Sequence, residues 1–234
     1  MGETKRGRGR PEWLVCAATQ VELETFWREG EAPSLERPGL LIWDEGFACA
    51  VTGIGIPFTF GRLLPLAQRL RPRRILNIGI AGAYPNSGLK IGDIVMGTME
   101  TYGDLGFELP DEPGFQSVVE SALGAQMDVT GFGLLHAPEW ISEPDGYTLH
   151  PGVVGCTVNA CSGTERTGLL RERLFTSKFE TMEGAAVAHV GFITRTPVCE
   201  VRAISNFAAR RDMRPENIRL ALTNLRHHLQ KCRA

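Results

Sequence analysis

One carboxylate, Glu183, stands between Met182 and Gly184 at the head of a run, FETMEGAAVAHV, that holds almost nothing else polar. The spacing of the run predicts a helix beginning near Met182. Glu183 then falls in the first turn, where free backbone amides and the helix dipole favour an anion. It can stay charged there. An acid in such a place either caps its own helix or is held ready for a ligand, and spacing alone leaves both readings open. Gly184, Ala185 and Ala186 favour the second, because three small residues leave room for something to approach the helix end.

Other chemistry finds less support. Gly53-Ile-Gly55 suggests a dinucleotide loop, but the position three after Gly55 is Phe58, and the stretch follows a later strand than the first, so a tight strand-to-helix turn is the better account. No Walker sequence, H-E-x-x-H or G-x-S-x-G is present, which removes the usual warrants for nucleoside triphosphate hydrolysis, zinc peptidase and α/β-hydrolase chemistry. The cysteines at 16, 49, 156, 161, 199 and 232 form no C-x-x-C pair and no zinc-type spacing with the histidines. They read as reduced, mostly buried thiols of a cytosolic protein. No metal and no cofactor is expected.

The elements that must position Glu183 alternate along the chain. Trp13 to Ala18 reads as a strand and Val21 to Trp27 as a helix, and Leu40 to Trp43 with Phe47 to Thr52 flanks an acidic turn. A helix over Pro57 to Leu70 stops at Arg71 and Pro72, and Arg74 to Ile80 forms a buried strand that runs into AGAYPNSG. Further strands are predicted over Ile94 to Met99, Gly152 to Val158 and Val198 to Ser205. A last helix from about Pro215 to Lys231 puts Ile218, Ala221, Leu222, Leu225 and Leu229 on one face. This pattern calls for a single three-layer α/β/α domain around a twisted, mixed but mostly parallel sheet. Ligands of such folds sit beyond the carboxyl ends of the strands. The loops there are Ala17 to Glu22, Ile78 to Gly88, Asn159 to Gly163 and Ser205 to Arg211, beside the helix start at Glu183.

At 234 residues and 43% hydrophobic, the chain can bury one large core. Its 25 basic and 27 acidic residues nearly cancel, so no general field draws it to nucleic acid or to a membrane surface. No apolar stretch approaches the roughly 18 residues of a membrane span, and the N-terminus has no apolar secretory segment, so a cytoplasmic protein is expected. Residues 1–11, MGETKRGRGRP, are basic and glycine-rich and predict a mobile tail ahead of a domain over 12–234. The RGRP within it resembles the core of a minor-groove AT-hook, but a solvated tail is the simpler reading.

Taken together, FETMEGAAVAHV and PVCEVRAISNFAARRD resemble the M-E-G-A-A and R-x-I-S-[DN] signatures of the nucleoside phosphorylase and nucleosidase superfamily, and LNIGIAGAYPNSGLKIGDIVMGT resembles its glycine loop and following G-D-x-V. Within that superfamily, ETYGDLGFE and GCTVNACSGT are most similar to the futalosine hydrolases, which release hypoxanthine and dehypoxanthine futalosine on a menaquinone route. The resemblance implies a nucleoside phosphorylase-like fold and an N-glycosidase without a cofactor. It implies that Glu183 accepts hydrogen bonds from the ribose 2′ and 3′ hydroxyls, with Met182 against the sugar. As oxocarbenium character builds on the ribose, a carboxylate at the 2-hydroxyl strengthens its interaction.

The resemblance also implies that Glu22 is the general base that activates water, with Glu24 as the competing register, and that Arg202 helps to hold that water. Read from spacing alone, Glu22 is equally a capping or solvent-facing helix residue. Asn206 is implied to read the base: its amide can donate to O6 and accept from a protonated N7, which suits a 6-oxopurine. On residue type alone it is a turn-forming asparagine. Ile80 and Gly82 belong to the glycine loop, and Cys161 and Phe207 are expected to wall the base pocket. Tyr84, Tyr102, Leu105 and Phe107 are candidates for an apolar channel at the 5′ end. Phosphorylases of the superfamily line the glycine loop with arginine and a hydroxyl residue, because a dianion needs charged donors. The same stretch here is Asn77-Ile-Gly-Ile80, which favours water over phosphate. The partner expected is a small nucleoside, with no nucleic acid and no membrane, in at least a homodimer. Alternatives are a methylthioadenosine/S-adenosylhomocysteine-type nucleosidase, a purine nucleoside phosphorylase, or a non-catalytic nucleoside-binding protein on the same fold.

Overall fold

The computed structural model describes residues 10–32, 42–44, 46–118, 121, 132–133, 146–210 and 212–233. Residues 1–9 of the predicted tail, and Leu40 and Leu41 of the predicted second strand, lie outside the described residues. Packing begins slightly ahead of Glu12. Pro11 is buried and its carbonyl accepts from the Arg73 amide at 3.1 Å, while Arg10 Nη2 donates to the Pro72 carbonyl at 3.2 Å. Backbone pairing holds these residues, and that leaves no apolar signal in the sequence.

Strand β1 (Trp13–Ala17) is fully buried and lies between two parallel neighbours, β3 (Phe47–Val51) and β4 (Arg74–Ala83). β2 (Ile42–Asp44) extends the edge antiparallel to β3. On the other side of β4, β11 (Val198–Phe207) pairs parallel, β5 (Ile94–Tyr102) pairs antiparallel to β11, and β9 (Leu149–Thr157) pairs parallel to β5. The short β10 (Phe179–Thr181) then pairs with β9 and returns antiparallel to β4, at Phe179↔Ala83 and Glu180↔Gly82. β4, β11, β5, β9 and β10 therefore close on themselves, a closure that the order of elements along the chain does not signal. β6 (Gly106–Glu108) and β7 (Phe115–Ser117) form a separate ribbon, and β8 (Phe132–Gly133) pairs with β5.

Helices cover both faces. α2 (Ile56–Leu70) and α4 (Gly184–Thr194) pack against each other and bury Leu63, Ala67, Ala185 and Val187 on Leu14, Cys16, Ala48 and Ile75. α5 (Pro215–Arg233) covers the opposite face, with Ala221, Leu225 and Leu229 buried as their spacing predicts. α4 is apolar on every side: sheet and α2 enclose it as far as Gly191, while Phe192 and Ile193 at its end are exposed. α1 (Gln20–Leu23) and the 3-10 turn Glu24–Phe26 follow β1. α3 (Glu165–Phe175) has no counterpart in the sequence reading: Gly168 is its one buried residue among those described, so it carries no apolar stripe to detect.

Candidate active site

A cavity of about 390 Å³ opens at the carboxyl ends of β1, β4, β10 and β11, within the range that holds a nucleoside-sized ligand. Glu22, Ile80, Gly82, Cys161, Met182, Glu183 and Asn206 all line it. The residues expected at the sugar, the water and the base are thus brought together, with two exceptions. Phe207 is 44% exposed and is not among the lining residues, and Arg202 is fully buried behind the wall.

Glu22 is both a cap and a cavity residue. Thr19 is the N-cap of α1, its hydroxyl oxygen accepting from the Glu22 amide, and the Thr19 amide and hydroxyl donate back to Glu22 Oε2 at 3.1 and 2.6 Å. The other oxygen, Oε1, accepts from the Ile80 amide at 3.0 Å on the facing strand. Both oxygens are held, so the carboxylate is fixed in place at 7% exposure. Glu24, two residues on, accepts from Gln20 on the exposed side of the helix and does not reach the cavity.

Glu183 behaves differently. It is the N-cap residue of α4, one position before the first turn, and its side chain makes no bond to its own helix. Thr181 Oγ1 and Thr157 Oγ1 cap the helix instead, accepting from the Gly184 and Ala185 amides at 3.2 and 2.7 Å. Glu183 Oε1 accepts from the Gly55 amide at 2.9 Å, and Oε2 lies 3.8 Å from Arg202 Nη1. Gly55 (φ 90°) and Gly53 (φ 93°) are in the left-handed region, so the Gly-Ile-Gly stretch is a turn, and it is also what aims an amide at Glu183. That role was hidden in sequence, although the two glycines marked the turn. Burial raises the pKa of Glu183 above the usual carboxylate range, and the neighbouring Glu22 and Glu200 add to this, against Arg202 and the Gly55 amide.

The room that Gly184 leaves is not for a ligand. A Cβ there would lie 2.5 Å from Glu100 Cδ and 2.8 Å from Glu200 Oε1, so the protein's own carboxyl groups occupy that space. Ala185 and Ala186 are likewise fully buried. Glu183 lines the cavity, but the small residues beside it answer to packing.

Arg202 Nε donates to Glu200 Oε1 at 2.9 Å, and Glu200 Oε1 also accepts from Asn77 Nδ2 at 2.9 Å. Burial works against the charge on Arg202, but Glu200, Glu183 and Glu22 outweigh it and raise its pKa, so it stays cationic. Opposite Arg202 in the β4–β11 register stands Gly79. Any Cβ at Gly79 would collide with Arg202 Nη1 and Glu22 Oε1, so the glycine is what lets the base candidate and the cation approach.

Ser205 and Asn206 are adjacent in β11, and consecutive strand residues normally face opposite sides. Both line the cavity here because the register slips between Ile204 and Asn206, a bulge that re-aims the strand end. Ser205 Oγ donates to Asn206 Oδ1 at 2.9 Å and Asn206 Nδ2 donates to the Phe207 carbonyl at 3.2 Å, which leaves one amide hydrogen free. The expected 5′ channel lies elsewhere. Tyr84 is buried against Glu180, Tyr102 bonds His189, and Leu105 and Phe107 are exposed; none of the four lines the cavity. The apolar wall is formed by Val21, Ile54, Met213, Ile218 and Leu222, brought from α1, the Gly53–Gly55 turn, the segment just before α5 and the first turns of α5.

Buried acids at two helix starts, an amide-bearing strand end and an apolar wall thus meet in one cavity on this closed mixed sheet. Residues 43–233 match the model of the phosphorylase superfamily, and the chain belongs to that family. It is 31% identical to the futalosine hydrolase of Streptomyces coelicolor over 223 residues, 91% of each chain. It is 27% identical to the 5′-methylthioadenosine/S-adenosylhomocysteine nucleosidase of Maridesulfovibrio salexigens over 200 residues, 82% of this chain and 84% of the other. Its fold matches that of a Helicobacter pylori 5′-methylthioadenosine/S-adenosylhomocysteine nucleosidase variant with 5′-methylthioadenosine in the active site, at a TM-score of 0.76, 18% identity, and coverage of 96% and 98%. No helix among the described residues is long and apolar enough to cross a membrane.

Proposed function

We propose that the chain is a purine nucleosidase, and that its substrate is futalosine, cleaved by water to hypoxanthine and dehypoxanthine futalosine on the route to menaquinone. The observation that carries the hydrolytic reading is the charge of the cavity: Glu22, Glu180 and Glu183 line it, and among the described residues no Lys, Arg or His does. A phosphate dianion would meet carboxylates and no charged donor. A neutral ribose meets acceptors for its hydroxyls.

In this mechanism the ribose lies between Met182 and Glu183, with its hydroxyls donating to the Glu183 carboxylate. As the C1′–N bond stretches, positive charge builds on the sugar and the carboxylate interaction strengthens. Glu22, held at both oxygens and facing the cavity, takes a proton from water as the water oxygen bonds to C1′. The base leaves with the electron pair of the broken bond and takes a proton from solvent, while the proton taken up by Glu22 returns to solvent, so that one water is consumed. The free Asn206 amide hydrogen suits an acceptor at O6, which supports hypoxanthine over adenine. A non-catalytic binding protein would not need Glu22 fixed beside the cavity.

The test is incubation with futalosine, inosine and 5′-methylthioadenosine, with and without phosphate, and identification of the sugar product. Hypoxanthine and a free reducing sugar from futalosine, without phosphate, are expected. A sugar 1-phosphate formed only with phosphate present overturns the hydrolytic reading, and preference for 5′-methylthioadenosine overturns the substrate.

A further inference from the structure

Two carboxylic acids, Glu100 on β5 and Glu200 on β11, meet in the interior of the closed strands at 0% and 2% exposure, outside the cavity. We propose that this pair holds a single proton, carried by Glu100 between its own Oε1 and Glu200 Oε2, and that the acid–carboxylate unit so formed positions Arg202 and the start of α4 for the work of Glu183.

The oxygens themselves define the arrangement. Glu200 Oε1 is saturated by Arg202 Nε and Asn77 Nδ2, both at 2.9 Å, so this acid is the anion. Glu100 Oε2 accepts from Thr157 Oγ1 at 2.6 Å, and Thr157 Oγ1 accepts in turn from the Ala185 amide that opens α4. Glu100 Oε1 and Glu200 Oε2 are left without another partner among the described residues, and each is buried. Two ionised carboxyl groups in side-chain contact would repel one another and leave both of these oxygens without a donor. One proton between them satisfies both.

Charge balance argues the same way. Four carboxyl groups, those of Glu22, Glu100, Glu183 and Glu200, surround one buried cation, Arg202. Neutralising the most enclosed of them removes the largest desolvation cost. The groups facing Glu100 are Glu200 and Arg202 from β11, Thr157 and Cys156 from β9, and Tyr102 on its own strand. Cys16 and Glu183 face the Glu200 side, with Cys16 Sγ against Asn77 Oδ1. Arg202 alone among these is cationic. Burial, then the charge of Glu200, holds the Glu100 carboxyl well above the usual carboxylate range. The fold also omits two side chains to admit this acid: a Cβ at Gly155 or at Gly184 would run into Glu100.

The unit links both ends of the site. Glu200 orients the guanidinium that lies beside Glu183, and Glu100 reaches through Thr157 to the helix that carries Glu183. The role in turnover rests on the nucleosidase reading, but the proton does not. Infrared difference spectra of wild type against Glu100→Gln at neutral pH should show a carboxylic-acid C=O band present only in wild type, since other protonated acids cancel. Glu100→Leu leaves Glu200 Oε2 without the proton and takes from the Thr157 hydroxyl its 2.6 Å acceptor, and should lower kcat roughly tenfold or more, with a smaller change in KM. Glu100→Gln places an amide hydrogen where the acid proton was, and should recover most of that loss. Wild-type activity should also fall on the alkaline side as Glu100 loses its proton, and that limb should vanish in Glu100→Gln. Absence of the difference band overturns the shared proton. Gln as damaging as Leu, or an alkaline limb retained in Gln, overturns the positioning role. If no nucleoside is cleaved by wild type, the functional reading fails while the infrared result still decides the pair.

Discussion

The starts of α1 and α4 resemble each other in sequence and differ in three dimensions. Each carries a glutamate close to the first turn, and for each the spacing admits a cap as readily as a functional acid. At α1 the cap is real: Thr19 and Glu22 bond reciprocally, and the second Glu22 oxygen still reaches Ile80. At α4 the acid ignores its helix, two threonines from other positions supply the cap, and Glu183 is held by Gly55 and Arg202. Capping and chemistry are therefore not exclusive alternatives. A carboxylate has two oxygens, and which of them is left to face a cavity depends on partners far along the chain.

Substitutions can break this comparison at several depths. The largest effect is expected from Glu22→Gln, which keeps the Ile80 contact but removes the base; kcat should fall roughly 10²–10⁴-fold with the fold retained by circular dichroism. A loss below tenfold would reduce Glu22 to its capping role. Glu183→Gln should raise the barrier by about 2.7–4 kcal/mol, the range for one lost transition-state partner, read from kcat on futalosine. Near-normal turnover would mean that Glu183 only closes the loop at Gly55.

The Glu183 carboxylate must be ionised to accept from the ribose, and its pKa is raised by burial. The contribution of Glu183 to activity is therefore lost as pH falls through a value above the ordinary carboxylate range, and is fully present above it. That acid limb should disappear from the pH profile of Glu183→Gln, whatever its residual rate; a limb that persists belongs to another group.

Asn206→Asp sharpens the specificity reading. At neutral pH a carboxylate opposite O6 sets acceptor against acceptor, at a cost of about 1–3 kcal/mol, while offering an acceptor to a 6-amino group. The ratio of kcat/KM for futalosine to that for aminodeoxyfutalosine should fall, and an unchanged ratio would remove Asn206 from base recognition. The two caps give the smallest effects. Thr157→Val leaves the Ala185 amide and Glu100 Oε2 unpaired and should cost about 1–3 kcal/mol of stability, against about 1 kcal/mol for Thr19→Ala, both measured by denaturant unfolding. Equal losses would mean that the α4 cap is no more than a local one.

Much of the fold was legible. The strand Trp13–Ala17, the helix stop at Arg71 and the apolar face of the last helix follow from period, capping and breaker signals that act within a few residues. α3 and β10 were not, because the first has almost no buried face and the second is three residues long. In the site, Glu22, Met182, Glu183 and Asn206 lie at strand ends and helix starts that the sequence already located. The apolar wall was misplaced: Val21, Ile54 and Met213 come from separate elements, and their convergence has no local signature.

What the sequence by itself determined is therefore the set of elements and which residues stand at their carboxyl ends, since propensity, period and turn chemistry are short-range. Only the tertiary structure decided how β10 closes onto β4, which oxygen of each acid is spent on a backbone amide, and why Gly79, Gly155 and Gly184 must be glycine. The bonds concerned join Gly55 to Glu183 and Asn77 to Glu200, 128 and 123 residues apart. No window of sequence holds both partners, so their geometry exists only once the core has packed.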